Sequence, residues 1–311
     1  MAEHPFAARL AVAVSAPLRV GVAGRSGAGQ DTVRRALRGV GAVVAGPGEP
    51  ADLDVYVCVE TLTPEDTAAL TATRRPAVAV LNKSDLTCFR GAGPMVVAGA
   101  HCRELERRTG VPTRPLAALL AVAASDPAVL DRSLVDALRA VTADPAGLTP
   151  AIRRRLLSEL DLFGIATASA AVCAGADRAT LAALLASVSG MQAVLDEIDR
   201  AATAVRYRRL IGALARLAER AVGPQGARVA DFLAGDAVVL ARMAAAMDVM
   251  QAQDVPPGPA DGGTDHLLRA IHWQRYARGP VSALHRGCGA DIARGALRLW
   301  LRAGGIPEPM T

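Results

Sequence analysis

The stretch "LRVGVAGRSGAGQDTVRRALRGV", residues 18 to 40, constrains the fold more than any other. A β-branched run ends at Gly24. Gly27 and Gly29 follow, and a helical pattern then starts at once, with Val33, Ala36, Leu37 and Val40 on one face. A strand that turns straight into a helix needs a crossover, so the strand after it lies parallel. The first half of the chain repeats this scheme. "AVVAG" at 42–46, "DVYVCVE" at 54–60 and "AVAVL" at 77–81 read as strands, and "VPTRPL" at 111–116 as a short extended piece. "TPEDTAALTAT" opens a helix, with Thr63 as N-cap, Pro64 in the first turn and Asp66 three residues after the cap. "AHCRELERRTG" is a further helix, stopped by Gly110. The expected fold is α/β, with a parallel sheet covered by helices on both faces.

After Ala143 the strand pattern stops, and "DPAGLTP" is a turn-rich joint. The predicted domains are residues 1–145, α/β, and 146–311, all helical. Helices are predicted over 151–162, 178–188, 190–221, 228–250, 265–278 and 281–303. Abundant alanine and few aromatics favour helix there. The longest uncharged apolar run, 162–176, is too short to span a bilayer, so no transmembrane segment is expected. Glu3, Arg9 and Arg19 flank a short apolar run that makes a poor signal peptide. Cys58, Cys88, Cys102, Cys173 and Cys288 are scattered without a C-x-x-C pair, which suits free thiols in a reducing cytoplasm. His266, His272 and His285 near Cys288 match no zinc spacing, so no metal site is predicted. No Ser-His-Asp or Cys-His set stands out, and no catalytic residue is nominated. Net charge is +5, carried by arginine without an aromatic-interleaved basic stripe, which argues against nucleic acid as a partner.

Two motifs carry chemistry. Gly24, Arg25, Ser26, Gly27, Ala28, Gly29, Gln30, Asp31 and Thr32 follow the spacing of the phosphate-binding loop G-x-x-x-x-G-K-[ST]. In such a loop backbone N–H groups turn inward, and the helix N-terminus adds positive potential. Here Gln30 stands in the lysine place and Asp31 in the place of the magnesium-binding hydroxyl. The second motif is "LNKSDL", residues 81–86, at the carboxyl end of an apolar strand, where α/β folds bind ligands. The stretch resembles the N-K-x-D pattern of guanine-nucleotide proteins, which implies that Asp85 would accept from the two guanine N–H groups, that Asn82 would fix the loop and contact the base, and that the stem of Lys83 would lie on the ring face. Asn, Ser and Asp are also ordinary turn residues. Against a plain turn stands the composition: Asn82 is the only asparagine and Lys83 the only lysine.

Together these residues resemble the Ras-like (translation-factor class) P-loop GTPase domain, over roughly 18–143. "TGVPTRPLAAL", 109–119, resembles the late strand and the loop that backs the base, with Ala117 and Ala118 at the loop positions. The helical second half, notably "HWQRYARGPVSALHRGCGADIARGALRLW", is similar to bacterial dynamin-related GTPases. The resemblance implies a shortened Ras-like fold that binds GTP or GDP. The departures bear on turnover. Gln30 has no charge for the β- and γ-phosphates. Thr32 sits one residue late, rotated by about 100° around the helix. Asp31 repels phosphate, and Arg25 and Arg34 are the nearest cations. "GPGEPADLD", 46–54, holds no D-x-x-G and no switch threonine. A cytoplasmic pseudo-GTPase is therefore expected, with little or no hydrolysis and magnesium left open. It would act as a regulatory or structural partner of another protein, a related GTPase among the candidates. Arg294, Arg298 and Arg302 oppose Ile292, Leu297, Leu299, Trp300 and Leu301, a face that suits an acidic groove or peripheral contact with an anionic membrane. The same residues also suit a helical adaptor on a non-binding α/β platform, or an active P-loop NTPase with an atypical loop.

Overall fold

The structure is a computed structural model that describes residues 14–73, 75–87, 93–219, 226–259 and 265–305. It divides into two compact units, one of residues 18–199 and one of residues 1–17 with 200–311.

The first unit is built on five strands: β1 (Arg19–Gly24), β2 (Val43–Val44), β3 (Leu53–Cys58), β4 (Ala77–Asn82) and β5 (Thr113–Leu116). They are all parallel, in the order β2-β1-β3-β4-β5. The α/β expectation is met. The helices of the predicted crossovers are α1 (Gln30–Gly39), α2 (Pro64–Ala72) and α3 (Pro94–Thr109). They are followed by α4 (Ala118–Ser125) and α5 (Arg132–Ala143). β4 is buried from Val78 to Asn82, as a strand covered on both faces must be. Thr63 caps α2 as read from the sequence: its Oγ1 accepts from the Asp66 N–H at 3.3 Å, and the Asp66 carboxylate accepts from the Thr63 N–H at 2.9 Å. The strand order reverses between β1 and β3, since the chain leaves β1 toward β2 and returns on the other side. That switch point opens a crevice at the carboxyl ends of the strands.

The predicted boundary at 145/146 does not coincide with the observed division. Helices α6 (Pro150–Cys173), α7 (Arg178–Ser189) and the start of α8 (Met191–Glu219) belong to the sheet unit. The cause is local bonding. The Ala117 N–H, at the end of β5, donates to the Ser189 carbonyl at 2.8 Å. Arg155 of α6 reaches the Asp131 carboxylate at 2.8 Å. Arg114 of β5 pairs with both Glu106 and Glu197. Helix α6 runs past the predicted 151–162 and is broken at Asp161, whose φ of 56° and ψ of −178° are not helical. By length and composition α6 is the one helix among the described residues apolar enough to cross a membrane, with a third of its most apolar window buried.

The second unit holds the rest of α8, with α9 (Gly226–Ala234), α10 (Asp236–Ala252), α11 (Asp265–Arg278) and α12 (Ala283–Arg302). The single helix predicted over 228–250 is two, because Gly235 takes an extended conformation between them. Their core gathers Tyr207, Met243, Val249, Met250, Trp273, Cys288 and Ile292. Cys88 lies outside the described residues.

Candidate functional site

The two sequence motifs meet at the carboxyl edge of the sheet. Gly24 has a φ of 146°, and a Cβ there would sit 2.2 Å from the Val57 carbonyl oxygen on β3. Only glycine lets β1 leave the sheet along this path. Gly29 caps α1 with a φ of 87°, and a Cβ there would meet Asn82 Nδ2 at 2.5 Å. The space that glycine leaves is filled by asparagine. Asn82 is buried; its Nδ2 donates to the Ala28 carbonyl at 2.9 Å and its Oδ1 accepts from the Ala118 N–H at 3.3 Å. One side chain thus joins the glycine loop, the end of β4 and the start of α4. Lys83 takes a left-handed conformation, φ 57°, and its Nζ donates to the Gly27 carbonyl at 3.3 Å. Ser84 is buried and donates to the Leu81 carbonyl at 2.6 Å, which closes the short helical turn that carries Asp85. Gly27, Ala28, Gly29, Asn82, Lys83, Asp85 and Ala118 therefore lie together, and Ala117, beside Ala118, turns its N–H to the Ser189 carbonyl.

Behind this junction lies a pocket of about 190 Å³, walled by Gly29, Thr32, Asn82, Lys83, Asp85 and Ala118, with Leu86 and Leu119 as apolar sides. Asp161, at the break in α6, completes the wall. Sequence reasoning missed this residue. Its only local signal is that it is the last charge before an uncharged run. Its carboxylate accepts from the next N–H, Leu162, at 2.7 Å, which holds the break in place. Asp85 is 4 % exposed. Burial pushes its carboxyl up to about 6; its own backbone N–H opposes that rise, and the Asp161 charge adds to it. Among the described residues no arginine or lysine pairs with Asp85.

The other end of the glycine loop is arranged differently. The Gln30 side-chain amide donates to the Gly24 carbonyl at 2.7 Å and to the Arg25 carbonyl at 3.3 Å. Arg34 donates to the Val22 carbonyl at 2.7 Å and to Gln30 Oε1 at 3.1 Å, and it pairs with Asp31 at 2.7 Å. Arg25 turns to the fully buried Asp66 carboxylate at 3.2 Å. Burial alone would raise the Asp66 pKa, but hydrogen bonds from the Thr63 backbone and the Tyr56 hydroxyl, with the Arg25 charge, hold it below the usual range. Asp31 itself is exposed at the helix N-terminus. Thr32 lines the pocket. Ser26 is exposed in the loop.

In the helical unit the arginine row has partners. Arg294 pairs with Asp291 at 3.1 Å, Arg298 with Asp236 at 2.9 Å, and Arg302 with Asp236 at 3.8 Å. These pairs are at least a third exposed on the arginine side, where ion pairs contribute about 0–1 kcal/mol. Changing all three to glutamine should therefore move a urea midpoint only slightly. A large shift would assign them to the fold. His285 takes the Tyr276 hydroxyl at Nδ1 and Gln253 at Nε2, and His272 stands edge-on to Trp273. Among the described residues no group of three potential ligands is placed to hold a metal. Compared with known families, curated proteins and solved structures, the chain matches none.

Proposed function

We propose that this protein is a degenerate guanine-nucleotide-binding protein, a pseudo-GTPase of shortened Ras-like P-loop build. It takes GTP or GDP with little or no hydrolysis and serves as a regulatory or structural partner of another protein. The observation that carries this is the Asn82 bridge between the glycine loop and Ala118, with the buried carboxylate of Asp85 in the pocket beside it. A carboxylate kept in a pocket without a cation paired to it suits a ligand that brings its own N–H donors. Guanine presents two to one carboxylate; adenine lacks that pair. Poor turnover follows from Gln30, whose amide is spent on loop carbonyls.

The test is a titration with GDP and ADP. GDP should bind and ADP should not. Asp85→Ala should weaken GDP at least tenfold, since a charge-assisted hydrogen bond is worth about 1.5–3 kcal/mol. Equal affinity for the two nucleotides would refute the proposal. Affinity should also fall as pH drops below about 6, because the N–H donors need Asp85 ionised. Stability of the free protein should move in the opposite sense at this group. Its folded pKa lies above the unfolded value of about 3.9. The penalty for ionising it is therefore absent at low pH and sets in as pH rises from about 4 through about 6. A GTPase assay should stay near background; brisk turnover would favour an active NTPase instead.

A further inference from the structure

We propose that the site is anchored by the base alone, so that guanosine, GMP, GDP and GTP bind with nearly equal affinity and the protein cannot distinguish GTP from GDP. This rests on the proposed guanine reading and narrows its ligand to the guanine nucleoside moiety.

Phosphate binding at a loop of this shape draws on a cation, on the helix N-terminus and on unopposed backbone N–H groups. Each cation near the loop is already engaged. Arg25 holds Asp66 and the Thr61 carbonyl. Arg34 holds the Val22 carbonyl, Gln30 and Asp31. Lys83 donates to the Gly27 carbonyl. Gln30 stands where a charge would be and donates to the loop's own carbonyls. The helix N-terminus is met by Asp31, an anion in the first turn, which uses the favourable end of the dipole and repels a second anion. Of the loop N–H groups, that of Ala28 already donates to the Arg25 carbonyl at 3.2 Å, and neither the cations nor the helix end gains when a phosphate is added.

The base end has the opposite character. Both ends of the Asn82 amide are bonded within the protein, so it keeps its shape whether or not a ligand is present. The pocket adds two carboxylates, Asp85 and Asp161, against the one ammonium of Lys83, and their field favours N–H donors over anions. Its volume of about 190 Å³ suits a planar bicyclic base. Recognition energy is therefore concentrated on the base, and the number of phosphates changes little.

The experiment is calorimetric titration of the full chain with guanosine, GMP, GDP and GTP at neutral pH, each with and without magnesium. The four dissociation constants should agree within about threefold, and magnesium should not change them (threefold is about 0.65 kcal/mol at 1.4 kcal/mol per tenfold). A gain of tenfold or more from guanosine to GDP or GTP would overturn the inference while leaving guanine recognition intact. Absence of binding by all four would overturn guanine recognition itself. A paired variant gives the converse. Gln30→Lys with Asp31→Ser restores the cation and removes the anion, and should tighten GTP at least tenfold over guanosine. If the variant folds and still binds both alike, the loop charges are not what equalises the ligands, and the inference fails. If it does not fold, the native series decides alone.

Discussion

Asp291→Ala is expected to lower the stability of the helical unit by about 2–3 kcal/mol, the cost of losing charge-assisted hydrogen bonds and stranding a buried donor. Asp291 is 3 % exposed and sits inside the α10–α12 core. Its carboxylate accepts from the Tyr207 hydroxyl at 2.8 Å and pairs with Arg242 at 2.6 Å and Arg294 at 3.1 Å. Burial, and then the Asp291 charge, push the Tyr207 phenol upward, so it stays a neutral donor at any working pH. Truncation strands that donor and leaves the Arg242 guanidinium uncompensated. Urea unfolding followed by tryptophan fluorescence reads this unit directly, because both tryptophans of the chain, Trp273 and Trp300, lie in it. Asp291→Asn keeps an acceptor for Tyr207 and should lose less. A loss below about 1 kcal/mol for the alanine variant would mean that the network contributes little and that packing alone holds α12.

Gly24→Ala is the second large effect. Two costs combine: a φ of 146° that an L side chain resists, and a methyl group placed 2.2 Å from a backbone oxygen of the neighbouring strand. Strain of this kind costs about 1–3 kcal/mol, and forced overpacking about as much again. The sheet unit should lose about 3 kcal/mol or more, and guanine binding should vanish with it. Gly27→Ala is the control. Its φ of 81° is also left-handed, but nothing lies within 4 Å of the added methyl. It should cost only about 1–2 kcal/mol and leave the pocket in place. Hydrogen exchange across β1 and β3 distinguishes the two. Similar effects from both substitutions would mean that the contact with Val57 is not what fixes Gly24.

The parts of the fold that could be read from sequence are those fixed by neighbours along the chain. Strand β1 and its glycine loop were legible because β-branched alternation, glycine spacing and helical periodicity are all local. So was the cap of α2 by Thr63 and Asp66. The membership of α6 and α7 in the sheet unit was not legible, since it depends on bonds such as Ala117 to Ser189, which no local pattern encodes. Arg298 and Arg302 of α12 read as a free row because their acid lies on another helix: Arg298 finds Asp236 across 62 positions. At the site, Asn82, Lys83 and Asp85 were visible through their motif and their rarity. Asp161 was not, because it reaches the pocket through an interruption in a helix that its own sequence gave no reason to expect.

Lys83 gives the site a chemical address of its own. It is the only lysine of the chain, exposed, and its amine stands in the pocket wall 3.3 Å from the Gly27 carbonyl. An amine-directed reagent therefore has one side chain to modify, apart from the α-amine of the chain, and that side chain lines the pocket. A fluorophore or affinity tag attached there reports on the pocket without any engineered cysteine. Protection of that one amine by an added ligand can be read from a single peptide. A protease specific for lysine has one internal cleavage point, between Lys83 and Ser84, so the rate at which it nicks the chain measures how often this turn opens.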